Sequence, residues 1–327
     1  MKARMRIAAC VAAFLVGVGL NARATSKQDN PNDIGKRKVA QRSLISMQKE
    51  IEIGRRYAEQ IDRSAHLLKD PVVNEYVNRV EQNIARNSDA KVPITVKIIE
   101  DPTINAETLP GGFMYVNTGL LKAMNNEDEL AGVLAHETAH VAIRSWASEM
   151  TKQTILQYAM IPLMFTPMSY ALYYGVMEAY MNGVPMAFLK FSRDQEKKAD
   201  FFGIQYLWKA GYDPNAFVEA FGKIIQESRS TPGSVPSVFM DHPPTGDRIV
   251  KAEEEIKELL PKRRRYLVTT SGYAKMQERL AMDMGAMNNL ARQEHGPTLE
   301  RRTNKKGKTG KNPPPDNEKP PVLERRN

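Results

Sequence analysis

Cysteine is almost absent from this sequence of 327 residues, and the single one, Cys10, lies close to the amino terminus. The rest of the chain therefore excludes a disulfide framework and a thiolate metal site. Histidine is scarce too, with five residues in all. A hydrophobic fraction of 42% is ordinary for a globular protein and excludes wholesale disorder.

Most of the chain also has no excess of positive or negative charge, although the net charge of the whole sequence is +9. Residues 1–24 carry four basic and no acidic side chains, and residues 292–327 carry ten basic and five acidic ones. Residues 25–291 hold 33 of each sign. This balance argues against a nucleic-acid-binding body, and no nucleic-acid partner is predicted.

The amino-terminal segment has the three-part pattern of a secretory signal peptide. A basic leader at residues 2–6 precedes residues 7–20, which carry no charge, and Ala-Arg-Ala follows at 22–24. Fourteen residues are few for a membrane-spanning helix, which needs about 20. The pattern predicts cleavage after Ala24 and a periplasmic protein; an uncleaved membrane anchor and a lipid anchor at Cys10 are alternatives.

The remaining chain reads as one domain with polar ends. Residues 25–42 are polar and indicate a linker, residues 43–287 form the predicted domain, and residues 288–327 are a basic, proline-rich tail that we expect to be disordered. Apolar periodicity and capping residues predict helices from residues 43, 70, 126, 213 and 245. Residues 92–100 and 113–117 read as strands.

The pentapeptide His136-Glu137-Thr138-Ala139-His140 lies in one of these predicted helices. Residues four apart share a helical face, so both imidazoles can bind the same Zn²⁺, one per chain. Glu137 lies one residue off that face, where it can take a proton from a metal-bound water and return it to a leaving amine. Because histidine is scarce, this pattern favours a catalytic zinc site over a chance occurrence.

A catalytic zinc needs a third protein ligand. Glu196 and Asp200 are again four residues apart, so one carboxylate can bind the metal while the other accepts a hydrogen bond from a ligand histidine. The alternative is a solvated charged face, since Lys197 and Lys198 lie between them.

Two further segments complete the pattern: residues 109–120, which begin Leu-Pro-Gly-Gly, and Asp-His-Pro at 241–243 followed by Arg248. In their order along the chain, from about residue 45 to 260, the motifs resemble those of the gluzincin zinc metalloendopeptidases, the family of the CAAX prenyl protease, HtpX and BepA-like periplasmic proteases. The resemblance implies an α+β, mostly helical zincin-type domain with a small β-sheet whose edge strand borders the active-site cleft.

The resemblance also assigns roles to single residues. It implies that His136, His140 and Glu196 are the zinc ligands, that Glu137 is the general base, and that Asp200 supports a ligand histidine. It places the segment after Leu109 at the edge strand of the cleft, and the substrate-binding residues implied there are Gly111, Gly112, Phe113, Met114 and Tyr115.

His242 and Arg248 are implied to lie across the cleft, and His242 has three readings. It can donate to the oxyanion that forms on the scissile carbonyl, with Arg248 holding the peptide. It can occupy the fourth zinc position and block water. It can also only cap a turn before the two prolines that follow it.

Residues 153–177 are uncharged and contain two prolines. Because they lie between the second and third zinc ligands, a single membrane crossing would separate the ligands, and residues 153–190 are too short and interrupted for two spans. We expect residues 153–190 to form an apolar lid over the cleft, with peripheral membrane contact through this segment or the basic tail left open.

The sequence thus predicts a secreted zinc metalloendopeptidase that acts in envelope protein quality control on unfolded or misassembled proteins. An extended substrate would pair with the edge strand. The alternative is a chaperone-like or assembly factor that uses the same groove with little proteolysis.

Overall fold

The computed structural model describes residues 30–164, Tyr174, 191–230 and 246–294. The predicted signal peptide, most of the apolar insertion, His242 and the tail beyond residue 294 lie outside the described residues. Within them, helices surround one three-stranded sheet, which confirms the predicted mostly helical α+β class.

A short 3₁₀ helix, Pro31–Asp33, precedes the α-helices of the described residues, which are α1 (Met47–Ser64), α2 (Pro71–Arg86), α3 (Thr118–Ala123), α4 (Glu127–Ile143), α5 (Ser145–Met164), α6 (Arg193–Lys209), α7 (Asn215–Ser230), α8 (Gly246–Leu259) and α9 (Ser271–Glu294). Capping residues set several of their starts. Asp70 accepts hydrogen bonds from the backbone N–H groups of Val72 and Val73 ahead of α2, and Ser192 and Gln195 form a capping box on α6.

The strands are β1 (Thr95–Ile99), β2 (Ala106–Leu109) and β3 (Phe113–Asn117), in the sheet order β1-β3-β2. The segment expected to supply the edge strand therefore forms the central strand: β3 pairs in parallel with β1 and antiparallel with β2. The reason is the Pro-Gly-Gly turn at 110–112, which folds β3 back onto β2, a strand the sequence analysis did not predict. Gly111 and Gly112 have positive φ angles of 80° and 93° in that turn.

Helix α4 lies at the centre of the hydrophobic core and is buried on nearly all sides. It packs against α2, α6, α7 and β2. Two glycines permit the closest approaches: a Cβ atom on Gly132 would lie 3.1 Å from Phe217 Cα, and one on Gly203 would lie 3.1 Å from His136 Cα. The backbones of α6 and α7 can therefore touch the helix that carries the His-Glu-x-x-His motif.

The segment predicted as a linker packs onto this domain in its described part. Arg37 is buried and forms an ion pair with Asp89, with 2.6 Å between Nη2 and Oδ2. Its Nη1 donates to Gln205 Oε1 at 2.6 Å, and Tyr206 also donates to Asp89. Composition alone suggests a solvated linker here, but these polar side chains are bound to polar partners in the core.

The chain divides into two compact units, residues 1–284 and 285–327. The first contains the sheet and the elements around α4. The described part of the second, residues 285–294, is the end of α9, so helix continues seven residues beyond the predicted start of the tail. No helix in the described part of the chain has both the length and the apolarity to cross a membrane.

Asp128, in the first turn of α4, gives a test of core electrostatics. It is buried, its Oδ1 has no hydrogen-bond partner among the described residues, and burial with nearby carboxylates raises its pKa to about 7. The folded state therefore holds a proton that the unfolded state releases, and stability falls as pH rises from about 4 to 7.

We expect Asp128→Asn to gain stability relative to the unsubstituted protein by on the order of 2 kcal/mol at pH 8 and little at pH 4. Denaturant unfolding at the two pH values measures the difference. A gain of equal size at both values would contradict a raised pKa.

Candidate metal centre

His136 and His140 lie one turn apart on α4, with both side chains buried. Their Nε2 atoms are 3.1 Å apart, and the rings meet edge to face. The predicted i and i+4 pairing is therefore present, with both nitrogens directed at one point.

Glu196 reaches the same point from α6. Its Oε1 lies 3.3 Å from His140 Nε2, and its Oε2 lies 3.6 Å from His136 Nε2. These separations fit the edges of a tetrahedron, about 3.3 Å, around a metal whose ligands lie about 2.0 Å away. The donor set of two imidazoles and one carboxylate suits a catalytic metal ion, so the three residues can hold one.

Asp200 lies behind His136, with 3.1 Å between its Oδ1 and His136 Nδ1. This contact directs the lone pair of Nε2 toward the cluster. Burial opposes a charge on His136, but hydrogen bonds to Asp200 and Glu196 and the charges of both carboxylates raise the pKa of the imidazole. The same carboxylates would stabilise a metal cation bound at the opposite ring nitrogen.

Arg248, at the start of α8, holds both carboxylates. Its Nε and Nη2 donate to the two oxygens of Asp200 at 2.7 Å each, and its Nη1 lies 2.9 Å from Glu196 Oε2. Burial alone would raise the pKa of Asp200, but these hydrogen bonds outweigh it and hold the pKa below its ordinary value. The contacts of Arg248 are thus to the candidate metal-binding side chains, and its role in holding the peptide stays a prediction.

Glu137 is buried on the side of α4 that faces β2, and Thr108 Oγ1 donates to its Oε2 at 2.9 Å. Thr108 was not among the predicted site residues. Its only sequence signal is its place just before Leu109, at the end of a strand too short to show clear alternation.

The five predicted substrate-binding residues lie in the turn and in the central strand, and their role stays a prediction. Gly111 and Gly112 form the turn, and Met114 and Tyr115 are buried in the central strand. Tyr115 donates its hydroxyl to the carbonyl of Ala58 on α1. The two edges of the sheet belong to β1 and β2, because β3 is paired on both sides, and β2 is the edge strand that packs against α4.

Two contacts around His140 were not predicted. Ser145 Oγ lies 2.8 Å from its Nδ1, and the ring of Phe191 stacks on the imidazole at 4.3 Å between centroids. Trp146 meets Phe191 edge-on at 5.7 Å and donates its indole N–H to the Thr108 carbonyl at 2.6 Å.

The buried cluster is formed by His136, His140 and Glu196, and Glu137 lies on the same helix as the two histidines. In this fold, such a set of side chains defines a metal-dependent peptidase. The model of Peptidase family M48 matches residues 71–256, more than half of the chain, and the chain belongs to this family. The gluzincin resemblance and the assignment as a metallopeptidase are confirmed.

Three relatives show how far the similarity extends. The chain is 32% identical over 225 residues to the putative beta-barrel assembly-enhancing protease of Vibrio cholerae, covering 67% of this chain and 46% of the relative. It is 27% identical over 261 residues to the beta-barrel assembly-enhancing protease of Escherichia coli K12, covering 78% and 53%. It is 32% identical over 189 residues to the mitochondrial metalloendopeptidase OMA1 of Schizosaccharomyces pombe, covering 58% and 54%. The chain spans about half the length of these curated relatives.

Arg248→Met should weaken zinc binding by about 10- to 100-fold, because Asp200 and Glu196 lose the cation that orients them. Competition with a chelator measures the affinity. The matched control is Arg86→Met, which removes an exposed arginine at the end of α2 and should leave zinc binding unchanged. Equal affinities in the two variants would show that Arg248 does not position the metal-binding residues.

Proposed function

We propose that the protein is a zinc-dependent endopeptidase in which Glu137 is the general base. The observation that carries this proposal is the place of Glu137, next to the His136, His140 and Glu196 cluster and on the side of α4 toward the edge strand. A carboxylate in this position can exchange protons with water and substrate in the cleft.

Zinc held by these three residues supplies a Lewis acid that polarises a peptide carbonyl and lowers the pKa of water to about 7. Glu137 then accepts a proton from water as the scissile carbonyl is attacked, and delivers it to the leaving amine. Thr108 holds one oxygen of this carboxylate by a hydrogen bond. Asp200 and Arg248 keep the tautomer of His136 and the orientation of Glu196 fixed during the reaction.

The substrate we infer is an extended polypeptide that pairs with β2, the edge strand of the sheet that lies beside Glu137. Main-chain pairing selects for an unfolded segment more than for a particular sequence. The names of the bacterial relatives, beta-barrel assembly-enhancing proteases, support unfolded or misassembled envelope proteins as the clients.

The proposed location is the periplasm, supported by the signal-peptide pattern of residues 1–24. Peripheral contact with a membrane or an apolar client is proposed for residues 153–190. Ile155 and Tyr158 in the described part of this segment are 55% and 64% exposed, which supports an apolar contact surface.

Glu137→Gln should lower the rate of casein cleavage by at least about 10²-fold while zinc remains bound, because the amide cannot accept the proton. Cleavage is followed on gels and zinc is measured in the same samples. Glu75→Gln makes the same chemical change at an exposed position on α2 and should retain full activity. If Glu137→Gln cleaved casein as fast as the unsubstituted protein, the mechanism would be contradicted. If the unsubstituted protein and both variants bound zinc and none cleaved casein, the assembly-factor alternative would be favoured.

His242 is proposed as the donor to the oxyanion, in the segment that precedes α8. His242→Ala should then lower kcat by about 10²- to 10³-fold. Steady-state kinetics with the zinc-loaded protein measure it. A rise in activity would instead support the reading in which His242 occupies the fourth zinc position in a resting state.

A further inference from the structure

Trp146 lies in the first turn of α5, and the break between α4 and α5 fixes its direction. Arg144 at this break has φ 56°, the left-handed conformation that few non-glycine residues adopt. Its guanidinium is held by Glu50 Oε2 at 2.7 Å and by the Ile45 carbonyl at 2.7 Å. The chain therefore turns sharply after the His-Glu-x-x-His helix, and the indole of Trp146 is directed at β2.

The carbonyl that Trp146 contacts points away from the sheet. Asn117 donates its backbone N–H to the Asn105 carbonyl at 2.9 Å, so these residues form a hydrogen-bonded pair at the start of β2. Hydrogen-bonded and non-hydrogen-bonded pairs alternate along an antiparallel ladder. Thr108, paired with Met114, is three positions along and falls in a non-hydrogen-bonded pair, which leaves its C=O on the outer edge.

This acceptor lies next to the catalytic base. The Thr108 hydroxyl donates to Glu137 while its carbonyl accepts the indole N–H of Trp146 at 2.6 Å. A peptide that extends the sheet beyond β2 beside Glu137 needs the same carbonyl for one of its own N–H groups. The oxygen has two lone pairs, but an indole nitrogen 2.6 Å from it on the outer edge of β2 takes the place of the N–H of an added strand, so the indole and the substrate compete for one position.

We propose that Trp146 is a specificity-determining residue: its indole N–H occupies the Thr108 carbonyl, and only a peptide that presents a free backbone N–H there displaces it. This inference rests on the proposed peptidase function. On this inference, the substrate is an extended segment whose backbone N–H replaces the hydrogen bond that Trp146 loses. Trp146 thereby discriminates against chains whose backbone donors are already paired in folded structure.

The first test is kinetic. Trp146→Phe keeps an aromatic ring but removes the donor, so a fluorogenic, tryptophan-free unstructured peptide should be cut with a KM about fivefold lower, the equivalent of one hydrogen bond of about 1 kcal/mol, and with kcat unchanged. The matched control is Trp208→Phe. Trp208 also donates its indole N–H to a backbone carbonyl, that of Pro261, about 18 Å along α6 from Glu196.

A second test keeps Trp146 in place. The chain has two tryptophans, so in Glu137→Gln with Trp208→Phe the tryptophan emission, excited selectively over that of tyrosine, comes from Trp146 alone. Titration with the same peptide, with binding followed independently by the anisotropy of a labelled copy, should shift the Trp146 emission to the red as the indole leaves the Thr108 carbonyl.

The outcomes separate this inference from the proposed function. A lower KM in Trp146→Phe alone, or an emission shift that follows binding, supports the inference. Wild-type cleavage with KM equal in both phenylalanine variants, or peptide binding without an emission shift, overturns it. Absence of cleavage in zinc-loaded wild type overturns the peptidase proposal, and the emission titration still decides whether bound peptide displaces Trp146.

Discussion

The contact between α4 and α6 is the constraint on which the candidate site depends. Gly203 has no side chain to separate the two helices, and a Cβ atom there would lie 3.1 Å from His136 Cα. Two turns earlier on α6, Glu196 then reaches His136 and His140. A larger residue at position 203 would move the carboxylate away from both imidazoles, so a backbone contact in the core sets the distances among the candidate ligands.

The charges of the buried side chains also favour a bound cation at the candidate site. Among the described residues, the guanidinium of Arg248 contacts Glu196 and Asp200, and Glu137 lies beside the cluster on α4. With the three carboxyl groups ionised and the imidazoles neutral, as in a metal site, these side chains carry more negative than positive charge, which a divalent cation reduces. Since uncompensated buried charge is costly, we expect the metal to stabilise the fold as well as to serve chemistry.

Local patterns together with the family resemblance were enough to predict the candidate metal-binding side chains, which lie together in the structure. The i and i+4 spacing of His136 and His140 depends only on helix geometry, and the family motif distinguished Glu196 from a solvated face. The edge strand could not be predicted in this way, because β2 has four residues and its place depends on β3 pairing with β1. Arg248 and Trp146 each contact partners that are distant in the sequence, and the spacing of nearby residues does not predict such contacts.

The burial of Arg37 has a practical consequence for work with fragments of this protein. Its guanidinium is the charged partner of Asp89 inside the core, although it precedes the first long helix by ten residues. A fragment that starts at the predicted domain boundary, residue 43, would leave Asp89 buried without that cation, at a cost of about 3–5 kcal/mol. A fragment expected to fold therefore includes Arg37, and tags or protease sites belong ahead of it.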